Sequence, residues 1–185
     1  MPLDNAGKDL LNYKGDRKLF IETGTANGDG VASALTAGFE EICTVELNPN
    51  LANHCMNRFS ENDNVTIACG SSDEFLPQVL EGVDEPFVLW LDAHFSGGPF
   101  IGEKMDAYLP KELASLKGHE SKLVDSVIMI DDMGYFLDDD NPVHSIEEDA
   151  KFREDIENTL MELKPNGVLE YYRPPGTNFV LLVSK

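Results

Sequence analysis

Apolar residues along the chain alternate between short β-type runs and four-residue helical spacings. Leu19-Phe20-Ile21 is an apolar run closed by Glu22 and a glycine-rich turn, after which Val31, Leu35 and Phe39 mark one face of a helix. Ile42 to Glu46 is a second β-rich run. Asn48 and Pro49 then supply a cap and first-turn pair for a helix carrying Leu51, Cys55 and Phe59. Val65 to Cys69 reads as a third strand, and Ser71 with Glu74 matches a capping box opening a helix through Leu80. Phe87 to Asp92 is apolar on both faces, as a central parallel strand is. A glycine-rich loop from Ser96 to Gly102, a helix near Leu109 to Lys117 and a fifth strand, Val127 to Asp131, follow.

The rhythm then changes. Ser145 and Glu148 match another capping box before a long polar helix, Ile146 to Leu163, which Lys164-Pro165-Asn166-Gly167 stops. Val168 to Tyr172 and Phe179 to Val183 flank a turn too short for a helical crossover, so they should pair antiparallel. Five βα units closed by a hairpin predict a doubly wound, mostly parallel Rossmann-like α/β sheet with a C-terminal antiparallel β-hairpin. The whole chain, 1–185, reads as a single domain.

Composition narrows the partners. With 34 acidic and 14 basic residues the net charge is −20, which disfavours nucleic acid and anionic membrane surfaces as partners. No apolar run is long enough to span a bilayer, and the polar stretch from Met1 to Lys18 is no signal peptide. Cys43, Cys55 and Cys69 are odd in number and lie in apolar periodic segments, so reduced core thiols and a cytoplasmic location are expected.

Acids close most of the early strands: Glu22, Glu46, Asp92, Asp131 and Asp132. In a doubly wound sheet those ends form the ligand crevice. The turn from Glu22 to Gly30 has the spacing G-x-x-x-G-x-G through Gly24, Gly28 and Gly30, with Thr25 inside it. It lacks the G-x-G-x-x-G spacing of dinucleotide folds. An acid before it suits an ammonium group and repels a pyrophosphate. Glu46, about twenty residues on, stands where a carboxylate takes both hydroxyls of a ribose. A cationic amino acid joined to a ribose describes S-adenosylmethionine (SAM). A structural turn with two solvent-facing glutamates is the plainer alternative.

The stretch from Phe20 to Asp132 resembles the class I SAM-dependent methyltransferases, with Glu22 to Gly30 as the first motif and Glu46 as the ribose-binding acid. Gly70 to Gln78 is similar to the adenine-side segment of catechol O-methyltransferase-like enzymes. That likeness places Ser72 and Asp73 beside the adenine, with Ser71 where many relatives carry aspartate. Taken alone, Ser71 and Ser72 are helix caps.

Asp92, Asp131 and Asp132 end neighbouring strands, and a divalent cation would relieve their repulsion. Oxygen-only ligands select a hard ion, Mg²⁺ first, then Mn²⁺ or Ca²⁺. Such an ion would lower the pKa of an acceptor hydroxyl. The arrangement is similar to the cation-dependent O-methyltransferases, and the Asp131-Asp132 pair resembles the macrocin-type sugar enzymes. That resemblance makes the three aspartates metal ligands. Alternatively Asp131 and Asp132 cap a turn, and Asp92 orients the cofactor's amino group. His94, two residues past Asp92, is a candidate general base near neutral pH beside a catalytic Asp92, and the lysine that catechol-type enzymes carry after this acid has no match here, which leaves the identity of the base open.

The segment Phe95 to Asp106 combines mobile glycines with Phe95, Pro99 and Phe100, an expected acceptor lid. His54, His119 and His144 read as bystanders, Asp138 to Asp140 as a solvated acidic loop, and Tyr171 and Tyr172 as hairpin packing. The implied activity is metal-assisted O-methylation of a small-molecule or sugar-like acceptor. Fewer than twenty residues precede the first strand, so the acceptor site is open or a homo-oligomer completes it. A non-catalytic SAM- or nucleotide-binding module and an NAD-dependent oxidoreductase are the alternatives, since fold and turn are shared among them.

Overall fold

The computed structural model describes residues 13–94, 102, 104–140, 142–173 and 180–184. Its strands are β1 (Leu19–Thr23), β2 (Glu41–Glu46), β3 (Val65–Cys69), β4 (Phe87–Leu91), β5 (Val127–Ile130), β6 (Val168–Tyr172) and β7 (Val180–Ser184). Between them run helices α1 (Asp29–Thr36), α2 (Pro49–Arg58), α3 (Ser72–Gly82), α4 (Met105–Ser115), α5 (Glu120–Leu123) and α6 (Ile146–Leu163), with a 3-10 turn at Met133–Phe136.

The sheet order is β3-β2-β1-β4-β5-β7-β6. The first five strands are parallel, and β7 runs antiparallel to both β5 and β6. This is the doubly wound sheet with an antiparallel hairpin that the rhythm predicts. The turn expected over Pro174 to Asn178 lies outside the described residues.

Alternation along the strands sorts the core into two layers. Ile21, Leu89, Leu91, Ile128, Ile130 and Leu181 face α3, α4 and α6. Phe20, Ile42, Val88, Val127 and Met129 face α1 and α2. Both faces of β1 and β4 are therefore covered, which is why these strands are apolar throughout.

Two of the predicted caps form. Asn48 Oδ1 accepts from the Asn50 amide at 2.9 Å, with Pro49 at the first helical position of α2. Ser145 Oγ accepts from the Glu148 amide at 3.2 Å, and Glu148 Oε2 accepts from the same hydroxyl at 2.9 Å. The Ser71–Glu74 box does not form: Ser71 makes no side-chain cap bond, because its hydroxyl goes to Asp73 Oδ1 and lies 3.2 Å from the Tyr108 phenol. The three cysteines are unpaired, but only Cys55 is fully buried and Cys69 is exposed, since β3 is the sheet's edge strand. Burial pushes the Cys43 and Cys55 thiols up to about 11, which suits inert core groups.

Candidate functional site

Strand order reverses between β1 and β4, and there the two parallel edges open a crevice at their C-terminal ends. Three backbone hydrogen bonds shape the turn after β1. The Gly24 and Thr25 amides donate to Val45 O at 2.9 and 3.1 Å, and the Gly28 amide donates to Thr25 O at 2.7 Å. Gly24 has φ +79°, and a Cβ there would lie 2.4 Å from the Asp92 carbonyl oxygen. Only glycine lets the β1 turn pass so close to the end of β4. Gly28, at φ +85°, meets Phe59 in the same way, with 2.5 Å between a built Cβ and Cε2. Gly30 is buried in the first turn of α1.

Glu46 is only 5% exposed and is held at both oxygens. Oε2 accepts from the Ala26 amide and Oε1 from the Asn48 amide, each at 2.8 Å. Its carboxylate thus joins the β1 turn to the end of β2. Glu22 is 3% exposed, so the plainer alternative of two solvent-facing glutamates is overturned. Its Oε2 accepts from the Thr44 hydroxyl at 2.7 Å, and Thr44 lies 2.6 Å from the Thr25 hydroxyl. Burial pushes the Glu22 carboxyl up to about 8, with further repulsion from Glu46 and Asp29. A buried acid of that kind is satisfied by a cation.

On the far side of β1, Ser71, Ser72 and Asp73 begin α3 next to α4. Ser72 is buried and turned inward. Its amide and hydroxyl lie 3.2 Å from the Tyr108 phenol, and its hydroxyl donates to Glu112 Oε1 at 2.7 Å. The phenol also donates to Asp73 Oδ1 at 3.1 Å, so a tyrosine on α4 caps α3 in place of the expected capping box. Tyr108 and Glu112 escaped the sequence reading. A signal for Glu112 exists, because it stands in the apolar stripe of Met105, Leu109 and Leu113.

At the ends of β4 and β5, His94 Nε2 is 3.0 Å from Asp132 Oδ2 and Nδ1 is 3.7 Å from Asp92 Oδ1. Donor atoms of Asp92, His94 and Asp132 all lie within 4.8 Å of one another. Asp131 stands behind them, its Oδ1 accepting from the Asp132 amide at 2.8 Å. Asp132 adopts φ +57°, the left-handed conformation that turns the chain here into the 3-10 segment. Burial, then Asp131, Asp132 and Glu22, raise the Asp92 carboxyl well above the usual range. Burial and Asp132 push Asp131 up to about 6. Negative charge accumulated at one strand end is what a cation would neutralise.

Most of the expected lid, Phe95 to Ile101 and Glu103, lies outside the described residues. His54 is an exposed bystander, as expected. His144 is not: its Nε2 is 3.2 Å from Asp106 Oδ2 and its Nδ1 3.1 Å from Asp149 Oδ1, tying the first turn of α4 to that of α6. The loop Asp138 to Asp140 is exposed, and Tyr171 donates to Glu157 Oε1 at 2.9 Å, packing β6 on α6.

No family model and no curated protein matches the chain in sequence. Solved structures do match its fold. A Podospora anserina methyltransferase bound to S-adenosylhomocysteine (SAH) superposes with a TM-score of 0.68 at 16% identity, over 97% of this chain and 77% of that one. An O-methyltransferase from Bacillus cereus in complex with SAH gives 0.63 at 19% identity, covering 98% and 81%. The Streptomyces achromogenes O-methyltransferase involved in tomaymycin synthesis, in complex with SAM, gives 0.63 at 18%, covering 97% and 80%. The chain thus has the class I methyltransferase fold that its motifs resemble. Among the described residues no helix is long and apolar enough to cross a membrane.

Proposed function

We propose that this protein is a SAM-dependent methyltransferase that methylates a hydroxyl of a small-molecule or sugar-like acceptor with the help of a divalent cation. The observation that carries the reading is the pair of buried acids, Glu22 and Glu46, on adjacent strands around a turn pinned to Val45. Glu22 would take the cofactor's ammonium group and Glu46 its ribose hydroxyls, with Gly24, Thr25, Gly28 and Gly30 giving backbone access. Ser71, Ser72 and Asp73 would border the adenine. When bound, SAM supplies a methyl group on a positively charged sulfur. An antiparallel β7 between β5 and β6 also separates this sheet from the all-parallel order of dinucleotide folds, against the NAD alternative.

The chemical end fits a cation on its donor set: Asp92, Asp132 and the His94 imidazole offer ligand atoms within 4.8 Å of one another, and the Asp92 and neighbouring Asp131 carboxyls have raised proton affinity. Asp92, Asp131 and Asp132 would hold the ion, whose chemistry is to acidify an acceptor hydroxyl. With its Nε2 proton donated to Asp132, His94 keeps a lone pair on Nδ1 and can accept the acceptor's proton. The compact Asp92–His94–Asp132 group favours a second reading in which His94 is itself a ligand. His94→Gln separates the two: a base variant loses turnover and keeps metal affinity, whereas a ligand variant loses both.

Thermal unfolding with SAM, SAH and NAD, with and without Mg²⁺, tests the whole. Ligand at about a hundred times its Kd adds roughly 2.7 kcal/mol, a rise on the order of 5–10 °C for this size. A rise with both adenosyl ligands and none with NAD supports the reading, and no rise with either sinks it.

A further inference from the structure

Among the buried charged side chains, Glu46, Asp149 and Lys164 have evident local partners and Glu22 has the cofactor's ammonium, but Glu112 has no part in the reaction as read above. Asp149 Oδ2 accepts from the Val143 amide at 2.8 Å, and Lys164 donates to the Leu123 and Val124 carbonyls at 2.7 Å, ending α5. Glu112 is 2% exposed on the inner face of α4, flanked by Leu109 and Leu113. Its Oε1 accepts from the Ser72 hydroxyl at 2.7 Å, and the Thr23 hydroxyl is near enough to favour its charged form. Thr23 ends β1, is fully buried, and its Oγ1 accepts from the Asp92 amide at 3.2 Å.

A connected set of polar contacts results. The Asp92 amide donates to the Thr23 hydroxyl, that hydroxyl favours the charged form of Glu112 beside it, and Ser72 donates to the same carboxylate. Its two ends are the segment read as the chemical end of the cleft and the first turn of α3, read as its adenine end. An ionised carboxylate accepts the Ser72 proton, attracts the Thr23 hydroxyl and offers no donor to compete, a pattern an amide or an apolar side chain cannot copy in full. Burial drives the Glu112 carboxyl up to about 7, and the two hydroxyls pull it back, so the chain keeps a costly group here.

We propose that Glu112 is a positioning residue for the cofactor, holding Ser72 and, through Thr23, Asp92 at a fixed separation beneath the cleft. The proposal rests on the SAM reading. If it holds, the cleft arrives with its two ends already set, and binding need not order them.

The test is calorimetric titration of SAH into the wild type, Glu112→Gln, Ser72→Ala and the double variant, with thermal unfolding of each alongside. Both single variants should weaken SAH at least fivefold, and the double variant should be no weaker than the worse single, because all three break one linkage. Thr23→Val should weaken SAH similarly and Thr23→Ser, which restores the hydroxyl, should recover it. This pair leaves Glu112 in place and carries the test even if Glu112→Gln fails to fold. Glu112→Gln binding SAH as the wild type does, losses that multiply in the double variant, or Thr23→Ser failing to recover would each overturn the role. Wild-type protein that takes up no SAH would instead bring down the cofactor reading, and this proposal with it.

Discussion

Replacing Glu22 by glutamine should make the protein more stable and a worse binder. Glu22 is 3% exposed, and burial lifts its carboxyl from 4.5 to about 8. A raised folded pKa means the fold holds the proton more tightly than the unfolded chain. The favourable state is therefore complete below about pH 4.5 and is lost as pH climbs to about 8, at about 1.4 kcal/mol per unit. The accumulated cost is about 3 kcal/mol at pH 7 and about 5 kcal/mol above pH 8.5. Glutamine has the same shape, stays neutral and can still accept from the Thr44 hydroxyl. The variant should thus melt on the order of 6–12 °C higher at pH 7, with the gap widening at pH 8.5 and closing near pH 4. With no charge for an ammonium group, its SAH affinity should drop tenfold or more, about 1.4 kcal/mol. Circular-dichroism melts across pH 4–9 and SAH calorimetry measure both halves. A melting difference that does not change with pH would refute the electrostatic argument, and wild-type affinity for SAH would refute the assignment of the ligand.

Gly24→Ala places a methyl 2.4 Å from the Asp92 carbonyl at positive φ, and should cost about 2–4 kcal/mol in a denaturant melt. Ser145→Ala removes the α6 cap and should cost about 1 kcal/mol by the same measurement. Lys164→Met takes the lysine donor from the Val124 carbonyl and leaves Leu123 only the Ser126 amide, and should cost about 1–3 kcal/mol, with Lys164→Arg less harmful. Asp131→Asn with Asp132→Asn should abolish any Mg²⁺-dependent rise in melting temperature, and an undiminished rise would dismiss the aspartate site.

What could be read in advance followed from local rules. Four-residue spacing, Asn48-Pro49, Ser145 and the apolar runs each depend on neighbours within one turn, so α2, α6 and the parallel strands stood out. The acids at strand ends were visible because strand direction alone brings them to one edge. Ser71 defeated the same approach: its hydroxyl goes to Asp73 while the Tyr108 phenol, 37 residues away, accepts from the Ser72 amide in its place, and no local pattern reports that tyrosine. Glu112 was hidden because a single acid in a helical stripe resembles the edge of the polar face until burial is known. His144 was passed over for a like reason, since Asp106, on α4, and Asp149 meet it only in the folded chain.

The position of β7 bears on how the protein is made. β5 has its free edge filled only by β7, which follows it by about 50 residues, while β6, synthesised earlier, can reach the sheet only through β7. At about 5–20 residues per second, β5 waits on the order of 3–10 s on the ribosome with its backbone groups open on one side. That edge is Val-Ile-Met-Ile, uncharged and apolar, so a nascent chain stalled in this interval is the species most prone to pair with another copy. Slow synthesis between β5 and β7, or loss of β7, should therefore show up as aggregation of new chains while the mature fold remains sound.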